Sequence, residues 1–583
     1  MGADFPDMTL ASFSWRAAAR LLLIGLRYTV AAFAAYCALE NSDDWVGGVM
    51  NASLLLLPFL LALAITGRRV GSLSIASLLT VFLYVLGELK FKYFGDRLSV
   101  MDYSFVIEPA NWAIVWRYPT LWGALAVFSG VAALLAMDAL TDRRAFAPLG
   151  PRWRLGALLL FAALGGFDYA NRHHHQWEVF RDDADCGPMH TCGVMSRLIY
   201  STNVFEFAPP AHDDDPTLFV TRRGLLPPLQ APAAATPLPD IVVWLNESTF
   251  NPLNFRLPNA HLPRMEMFED NERTRASGLL RVHTFGGKTW LSEFSMLTGL
   301  VPDDFGAMRN LVFNSVGPKV NSSLVRLLKA NGYRTVVLMP TMKRFYGAGR
   351  TYEGMGFDEV LTLRDFHEYD KIPGDEWDIA DSDRLSEAAR SLITRHRNGP
   401  KRDQPIFLYM LSVHEHAPYS KKTKIAYNLE RSGLKRDLAA KLTDYINKLR
   451  LLNVGVTAMD NYLARSGDRR MLFAYFGDHQ AYYEDDSPPY RYELRNAKNI
   501  TQFQLRANFG PPSLPRLPLT DIAFLPSLVA DYAGVKKDDY FEALSAMRRL
   551  CEGKLEDCED QTLVSSYKGY IFSDGLGLFA ERR

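Results

Sequence analysis

Apolar residues are not spread evenly along this chain but crowd into its first 170 positions. Five stretches there, near residues 17–39, 45–65, 71–91, 120–140 and 153–170, approach the roughly 20 residues a helix needs to cross a bilayer. The last is the shortest and by itself reads equally as a buried core helix. Its flanking Trp153 and Tyr169 suit a membrane interface, and its company makes it a fifth span. Arginine placement orients the set. Arg16 and Arg20 precede the first span, Arg68 and Arg69 come after the second, and Arg143, Arg144, Arg152 and Arg154 separate the fourth from the fifth. Those loops are expected in the cytoplasm, and the loop at residues 40–44, which has no basic residue, outside it. Everything after residue 170 is then expected on the outer face of the membrane. The first span is read as retained, because no small-residue cleavage site comes after Cys37. Residues 90–118, amphipathic and rich in Trp and Tyr, read as an interfacial segment or a plain connecting loop.

Whole-chain averages conceal this division. A mean hydropathy of -0.08 and 65 basic against 65 acidic residues resemble an ordinary soluble protein. Zero net charge argues against nucleic-acid binding through an overall positive field, and 583 residues exceed what one hydrophobic core organises. Of five cysteines, Cys37 lies in a span, while Cys186 with Cys192 and Cys551 with Cys558 form close pairs in the part expected outside. Two short-range disulfides are the expectation there.

Residues 209–239 hold eight prolines and show no periodicity, which reads as linker. The expected division is therefore a membrane domain at 1–170, a periplasmic linker at 171–239 and a further domain at 240–583. That domain alternates short apolar runs with amphipathic stretches, the pattern of an α/β fold. Runs at 241–245, 335–339, 406–413 and 471–476 read as buried parallel strands, and 321–331 and 434–465 as helices.

The residues just past these strands carry the chemistry. Asn246-Glu247-Ser248 stands after the first, His414-Glu415-His416 after the third and Gly477-Asp478-His479 after the fourth. Metal-ligating side chains thus gather at the C-terminal ends of parallel strands, where open α/β sheets bind ligands. Each cluster alone has an ordinary explanation: a helix cap for Glu247, a turn for Asp478 and His479, a core-facing ring for one of the two other histidines. Their shared edge is what makes them a site. A fourth element, Gly286-Gly-Lys-Thr-Trp-Leu-Ser-Glu-Phe294, ends an extended segment with two glycines and opens a helix. Thr289 then sits at a helix N-terminus, which favours negative charge, a suitable place for a hydroxyl that attacks phosphorus. Lys288 does not make this a nucleotide-binding loop, because Val282 stands where the first glycine of that motif belongs.

These motifs together resemble the lipoteichoic acid synthase and phosphoglycerol transferase branch of the sulfatase-like, alkaline phosphatase superfamily. The resemblance runs through both halves: five membrane helices, the Asn246, Thr289 and Asp478 motifs, Glu293-Phe294, Leu297-Thr298-Gly299, His416-Ala-Pro-Tyr419 and Thr520-Asp521-Ile522-Ala523. It implies a five-helix transmembrane domain and then an exported sulfatase-like α/β domain with a mostly parallel central sheet. It also implies one divalent metal (manganese, zinc or magnesium) on Glu247, Thr289, Asp478 and His479. Thr289 would be the nucleophile and His416 the acid, with His414, Lys288, Tyr346, Arg344 and Arg350 on the substrate. The donor would be a membrane phospholipid, the head-group phosphate passing through Thr289 to a cell-envelope glycan or lipid. One element departs from the family: where F-[WY]-N-R is usual, this chain has Phe345-Tyr-Gly-Ala348. Phosphoglycerol remains the leading head group and phosphoethanolamine the alternative. A formylglycine sulfatase needs C-x-P-x-R or S-x-P-x-R, which Thr289-Trp-Leu-Ser-Glu293 lacks. A phosphodiesterase, with water as acceptor, and a catalytically silent lipid-binding protein are the other readings, the last ranked low because all four metal-site residues are present. Tyr482, Tyr483, Arg491 and Arg495 are read as an acceptor groove.

Overall fold

The computed structural model describes residues 15–39, 45–94, 98–100, 102–107, 119–142, 147–173, 193–202, 210, 214–227, 237–257, 259–419, 427–429, 432–467, 469–483, 488–510 and 517–579. The 40–44 loop, Arg143 and Arg144, most of the 90–118 interfacial stretch, Cys186 with Cys192, and much of the proline-rich segment lie outside the described residues. The chain forms two compact units, Met1–Phe207 and Ala208–Arg583.

In the first unit the long helices among the described residues are Trp15–Leu39, Trp45–Thr66, Arg69–Phe94, Pro119–Asp142 and Pro151–Ala170. Among the described residues, four helices are long and apolar enough to cross a membrane: Ala18–Leu39, Trp45–Thr66, Arg69–Phe91 and Trp122–Leu140. The expected fifth span is a 20-residue helix with Pro151 at its start. It carries Arg152, Arg154 and Asp168, and those charges keep it below the same threshold. Arg154 donates from Nε to the carbonyl of Ala64 at 2.8 Å, a cation at the C-terminal end of the second helix where the dipole favours one. Arg27 and Asp138 form a buried ion pair at 3.2 Å between the first and fourth helices. Within the segment read as linker, Val194–Tyr200 is a short helix docked on the second helix, where Ser196 Oγ donates to Asn51 Oδ1 at 2.6 Å.

In the second unit, eight strands form one sheet in the order β4-β3-β5-β1-β6-β7-β2-β8. These are β1 (Asp240–Asn246), β2 (Thr274–Arg281), β3 (Arg334–Met339), β4 (Glu359–Thr362), β5 (Ile406–Leu411), β6 (Met471–Gly477), β7 (Ile500–Ala507) and β8 (Leu517–Asp521). Only β7 runs against the rest, pairing antiparallel with β6 and β2. The four strands read from the sequence are β1, β3, β5 and β6, and the two helices are Leu324–Ala330 and Arg436–Ala464. On one face, Trp244, Phe473 and Tyr475 pack with Leu442, Tyr445 and Leu449 of the long helix. On the other, Ala474 and Phe476 line a small cavity together with Met296 and Leu525. The alternation of successive side chains along β6 thus fills both layers. Cys551 and Cys558 form a disulfide.

Candidate active site

Strand register assembles the first half of the site. Asn246 of β1 pairs with Gly477 of β6, so the next residues, Glu247 and Asp478, leave the sheet side by side. Gly477 must be glycine, since a Cβ there would lie 1.9 Å from the Thr249 carbonyl. β5 flanks β1 on its other side, and Ser412, just past its end, accepts the Glu247 N–H at 3.0 Å.

The second half arrives from β2 through a turn. Gly286 has φ +70°, and Tyr482 packs so closely that a Cβ would fall 2.8 Å from its own. Lys288 is left-handed (φ 63°) and Thr289 begins the helix Thr289–Thr298. Thr289 Oγ1 donates to Glu247 Oε2 at 3.0 Å, and Ser292 Oγ, one turn on, donates to the Asp478 carbonyl at 2.6 Å, pinning the helix to the metal motif.

The three remaining ligand candidates converge in the same place. One donor atom each from Glu247, Asp478 and His479 lies within 4.8 Å of the others, and all three residues are buried. The Ser248 and His479 N–H groups donate to Asp478 Oδ1 at 2.7 and 2.8 Å. Asp478 Oδ2 is left buried with no hydrogen-bond partner, 3.3 Å from His479 Nε2, which also has none. His479 Nδ1 lies 2.9 Å from the Gln480 carbonyl, a contact that holds the ring proton on Nδ1 and leaves the Nε2 lone pair facing the carboxylates. Burial and the neighbouring Glu247 carboxylate push the Asp478 carboxyl well above the usual range. Two like-charged carboxylates and an unpartnered imidazole nitrogen form an O, O, N set that suits a divalent cation.

The other residues singled out from the sequence occupy different settings. In His414-Glu415-His416 it is the glutamate that turns inward: Glu415 is fully buried and accepts from Ser382 Oγ at 2.7 Å. His414 keeps a buried Nε2 without a hydrogen-bond partner. His416 is partly exposed and meets Trp377 edge-to-face, ring centroids 5.3 Å apart. Lys288 is partly exposed, and Arg344 and Arg350 are both exposed. Ala348, the last residue of the Phe345-Tyr-Gly-Ala348 element, is fully buried. Tyr346 is left-handed (φ 37°) with its ring 6.0 Å from Trp290. Among the described residues five non-glycines have positive φ, and Ser248, Lys288 and Tyr346 all border this site. Each costs about 1 kcal/mol, and strain of this kind collects where surrounding contacts enforce it. Of the groove residues, Tyr482 is 45% exposed and Tyr483 is buried; Arg491 and Arg495 are exposed, Arg491 donating to the Phe255 carbonyl and Arg495 pairing with Glu556.

Two residues with no role assigned from the sequence belong to the site's support. Glu293, fully buried, accepts from Tyr346 at 3.1 Å and from Tyr352. Burial pushes its carboxyl up to about 8, against the pull of the two hydroxyls. His283, buried ahead of the Gly286 turn, lies 3.1 Å from Asp521 and 3.7 Å from Asp303. Burial alone would keep its ring neutral, but Asp521 and Asp303 outweigh it and push the imidazole up to about 9. The signal for this pair was the Thr520-Asp521-Ile522-Ala523 motif, whose aspartate needed a partner.

Residues 239–508 match the sulfatase family. An uncharacterised protein of Haemophilus influenzae is 31% identical over 513 residues, 88% of this chain and 91% of that one. Similar solved structures include the phosphoglycerol transferase GacH of Streptococcus pyogenes in complex with sn-glycerol-1-phosphate, 14% identical over 64% of this chain and 99% of that one, TM-score 0.46. The lipoteichoic acid synthase LtaP of Listeria monocytogenes is 18% identical over 56% of this chain and 81% of that one, TM-score 0.44. A mostly parallel sheet with carboxylates, imidazole and a helix-N-terminal hydroxyl at its C-terminal edge is the layout of a sulfatase-like enzyme. The chain belongs to the sulfatase family, joined here to a membrane anchor of apolar helices.

Proposed function

We propose that the protein is a metal-dependent transferase that moves a phospholipid head-group phosphate through Thr289 to a hydroxyl of an envelope glycan or lipid, on the outer face of the bacterial cytoplasmic membrane. The observation that carries this is the Thr289 hydroxyl, first in its helix and 3.0 Å from Glu247 in the pocket of Asp478 and His479. A divalent cation held by Glu247, Thr289, Asp478 and His479 would acidify the threonine hydroxyl and neutralise phosphoryl charge. Glu247 already accepts the hydrogen bond of that hydroxyl and is placed to receive its proton. The Thr289 oxygen then bonds to phosphorus as the phosphorus–diacylglycerol bond breaks, and His416 protonates the departing oxygen. In the second half the deprotonated His416 takes the proton of an acceptor hydroxyl as its oxygen bonds to phosphorus and the phosphorus–Thr289 bond breaks, and Glu247 returns its proton to the Thr289 oxygen. The helix N-terminus favours the negative charge of the modified threonine, and the membrane anchor keeps the enzyme beside a donor that never leaves the bilayer.

Phosphoglycerol is the leading head group. Phosphoethanolamine stands second, favoured by one observation: Ala348 is fully buried where the family carries a guanidinium. Water in place of the acceptor would make the enzyme a phosphodiesterase. Mass spectrometry of protein trapped with mixed phospholipids is expected to find an adduct on Thr289 whose mass names the head group. Thr289→Ala should abolish both adduct and diacylglycerol release in a folded, membrane-inserted protein, and turnover in that variant overturns the mechanism.

A further inference from the structure

Five aromatic rings run in sequence beside the nucleophile. Trp290, next to Thr289, lies 6.0 Å from Tyr346; Tyr346 is 4.7 Å from Phe345, Phe345 6.2 Å from Trp377, and Trp377 5.3 Å from His416. The strap at residues 344–350 therefore links the nucleophile helix to the loop of the proposed acid. Its central residue is held in a conformation it would not choose: Tyr346 is left-handed, and its carbonyl accepts from Asn314 Nδ2 at 3.0 Å. Asn314 is itself fixed by Thr351 Oγ1 at 2.8 Å. The strap's tether to the helix is Glu293, one turn below Thr289, whose two oxygens are taken by Tyr346 and Tyr352. Gly347 has no side chain and Ala348 is sealed inside, so of residues 346–348 Tyr346 is the one with a partly exposed side chain.

We propose that Glu293 is a positioning residue whose carboxyl group latches this strap to the nucleophile helix and so fixes Tyr346 as the wall against which the donor head group seats. The inference rests on the transferase reading above, and it assigns donor affinity, rather than the chemical step, to Glu293. A carboxyl group suits the role because it offers one oxygen to each phenol, and a glutamine in its place keeps both contacts, its carbonyl accepting from one phenol and its amide donating to the other.

The test uses full-length protein in detergent with mixed micelles of phosphatidylglycerol or phosphatidylethanolamine, measuring diacylglycerol release, together with amide hydrogen exchange over residues 343–350. Glu293→Ala is expected to raise the donor KM about tenfold with kcat within about threefold, and to speed exchange in the strap. Tyr346→Phe, which cuts the same bond from the other end and leaves Glu293 on Tyr352, should raise KM similarly. The double variant should be no worse than the poorer single one, because both remove one interaction, and Glu293→Gln should stay within about threefold of wild type. Additive losses, a fall in kcat at unchanged KM, or unaltered strap exchange in Glu293→Ala overturns the latch. Turnover by Thr289→Ala overturns the transferase mechanism instead, and the exchange measurement still decides the latch.

Discussion

In the membrane unit, Arg27 and Asp138 lie 3.2 Å apart with side chains 7% and 5% exposed, one charge answering the other. In the sulfatase unit, Glu247 and Asp478 are as deeply buried, yet they place two carboxylates around one imidazole. A matched buried pair offsets much of its desolvation by itself and loses most when one partner is removed. An unmatched cluster such as this one, in which burial and the Glu247 carboxylate push Asp478 up, is held together by the surrounding fold, which is a mark of sites built to bind something. The contrast separates charge that holds structure from charge that does chemistry, although both are equally hidden from water.

The strongest way to break that contrast is Asp478→Asn. If the cluster is unmatched, removing one carboxylate should cut kcat/KM by about a thousandfold or more, through the lost cation. The same change should raise the melting temperature of the chelator-treated protein, because a like-charge repulsion disappears. A chelated variant that melts below chelated wild type would mean that the two carboxylates are not in conflict. In the membrane unit the sign reverses: Asp138→Asn should destabilise by about 3 kcal/mol or more, and Arg27→Met with Asp138→Leu should recover most of that loss. Thermal unfolding of the full chain in detergent reads both.

A gentler perturbation sharpens the comparison within the sulfatase unit. His283 is buried like the cluster but flanked by Asp521 and Asp303, so it behaves as a matched charge. Its folded pKa of about 9 lies above the ordinary 6.5. The folded state therefore holds the proton more tightly, and the stability this adds is complete below pH 6.5 and lost as pH rises to 9. The amplitude is on the order of 3 kcal/mol. The melting temperature should fall across that window in wild type and flatten in His283→Gln; an unchanged slope would remove His283 from the pairing.

Much of this was legible in the chain. The strands β1, β3, β5 and β6 are continuous apolar runs because both faces of a parallel sheet are covered. The β2 and β7 strands were not legible, since neither Thr274–Arg281 nor Ile500–Ala507 is a continuous apolar run and each carries a buried arginine near its end, Arg281 and Arg506. Those guanidiniums are buried only because Asp557 and Asp460, both distant in sequence, pair with them. The β4 strand has only four residues, and β8 carries Pro518, a residue that argues against a strand. Glu247, Thr289, Asp478 and His479 could be singled out because each stands just past a strand or opens a helix. Glu293 belongs to the motif Glu293-Phe294 but its role was not legible, because a glutamate inside a helical motif looks like surface until two tyrosines from another segment close on it.

The sequence by itself determined the division into an apolar anchor and an α/β unit, and the four motifs that carry chemistry. Those are local matters of helix length, strand hydrophobicity and the residue that stands after a strand. Tertiary structure alone decided that Asn246 stands opposite Gly477, that the glutamate of His414-Glu415-His416 turns inward, and that Asp521 charges His283 while Glu293 latches Tyr346. Register and burial depend on which distant segments meet, and the free energy of a buried polar group is set by the partner it finds there.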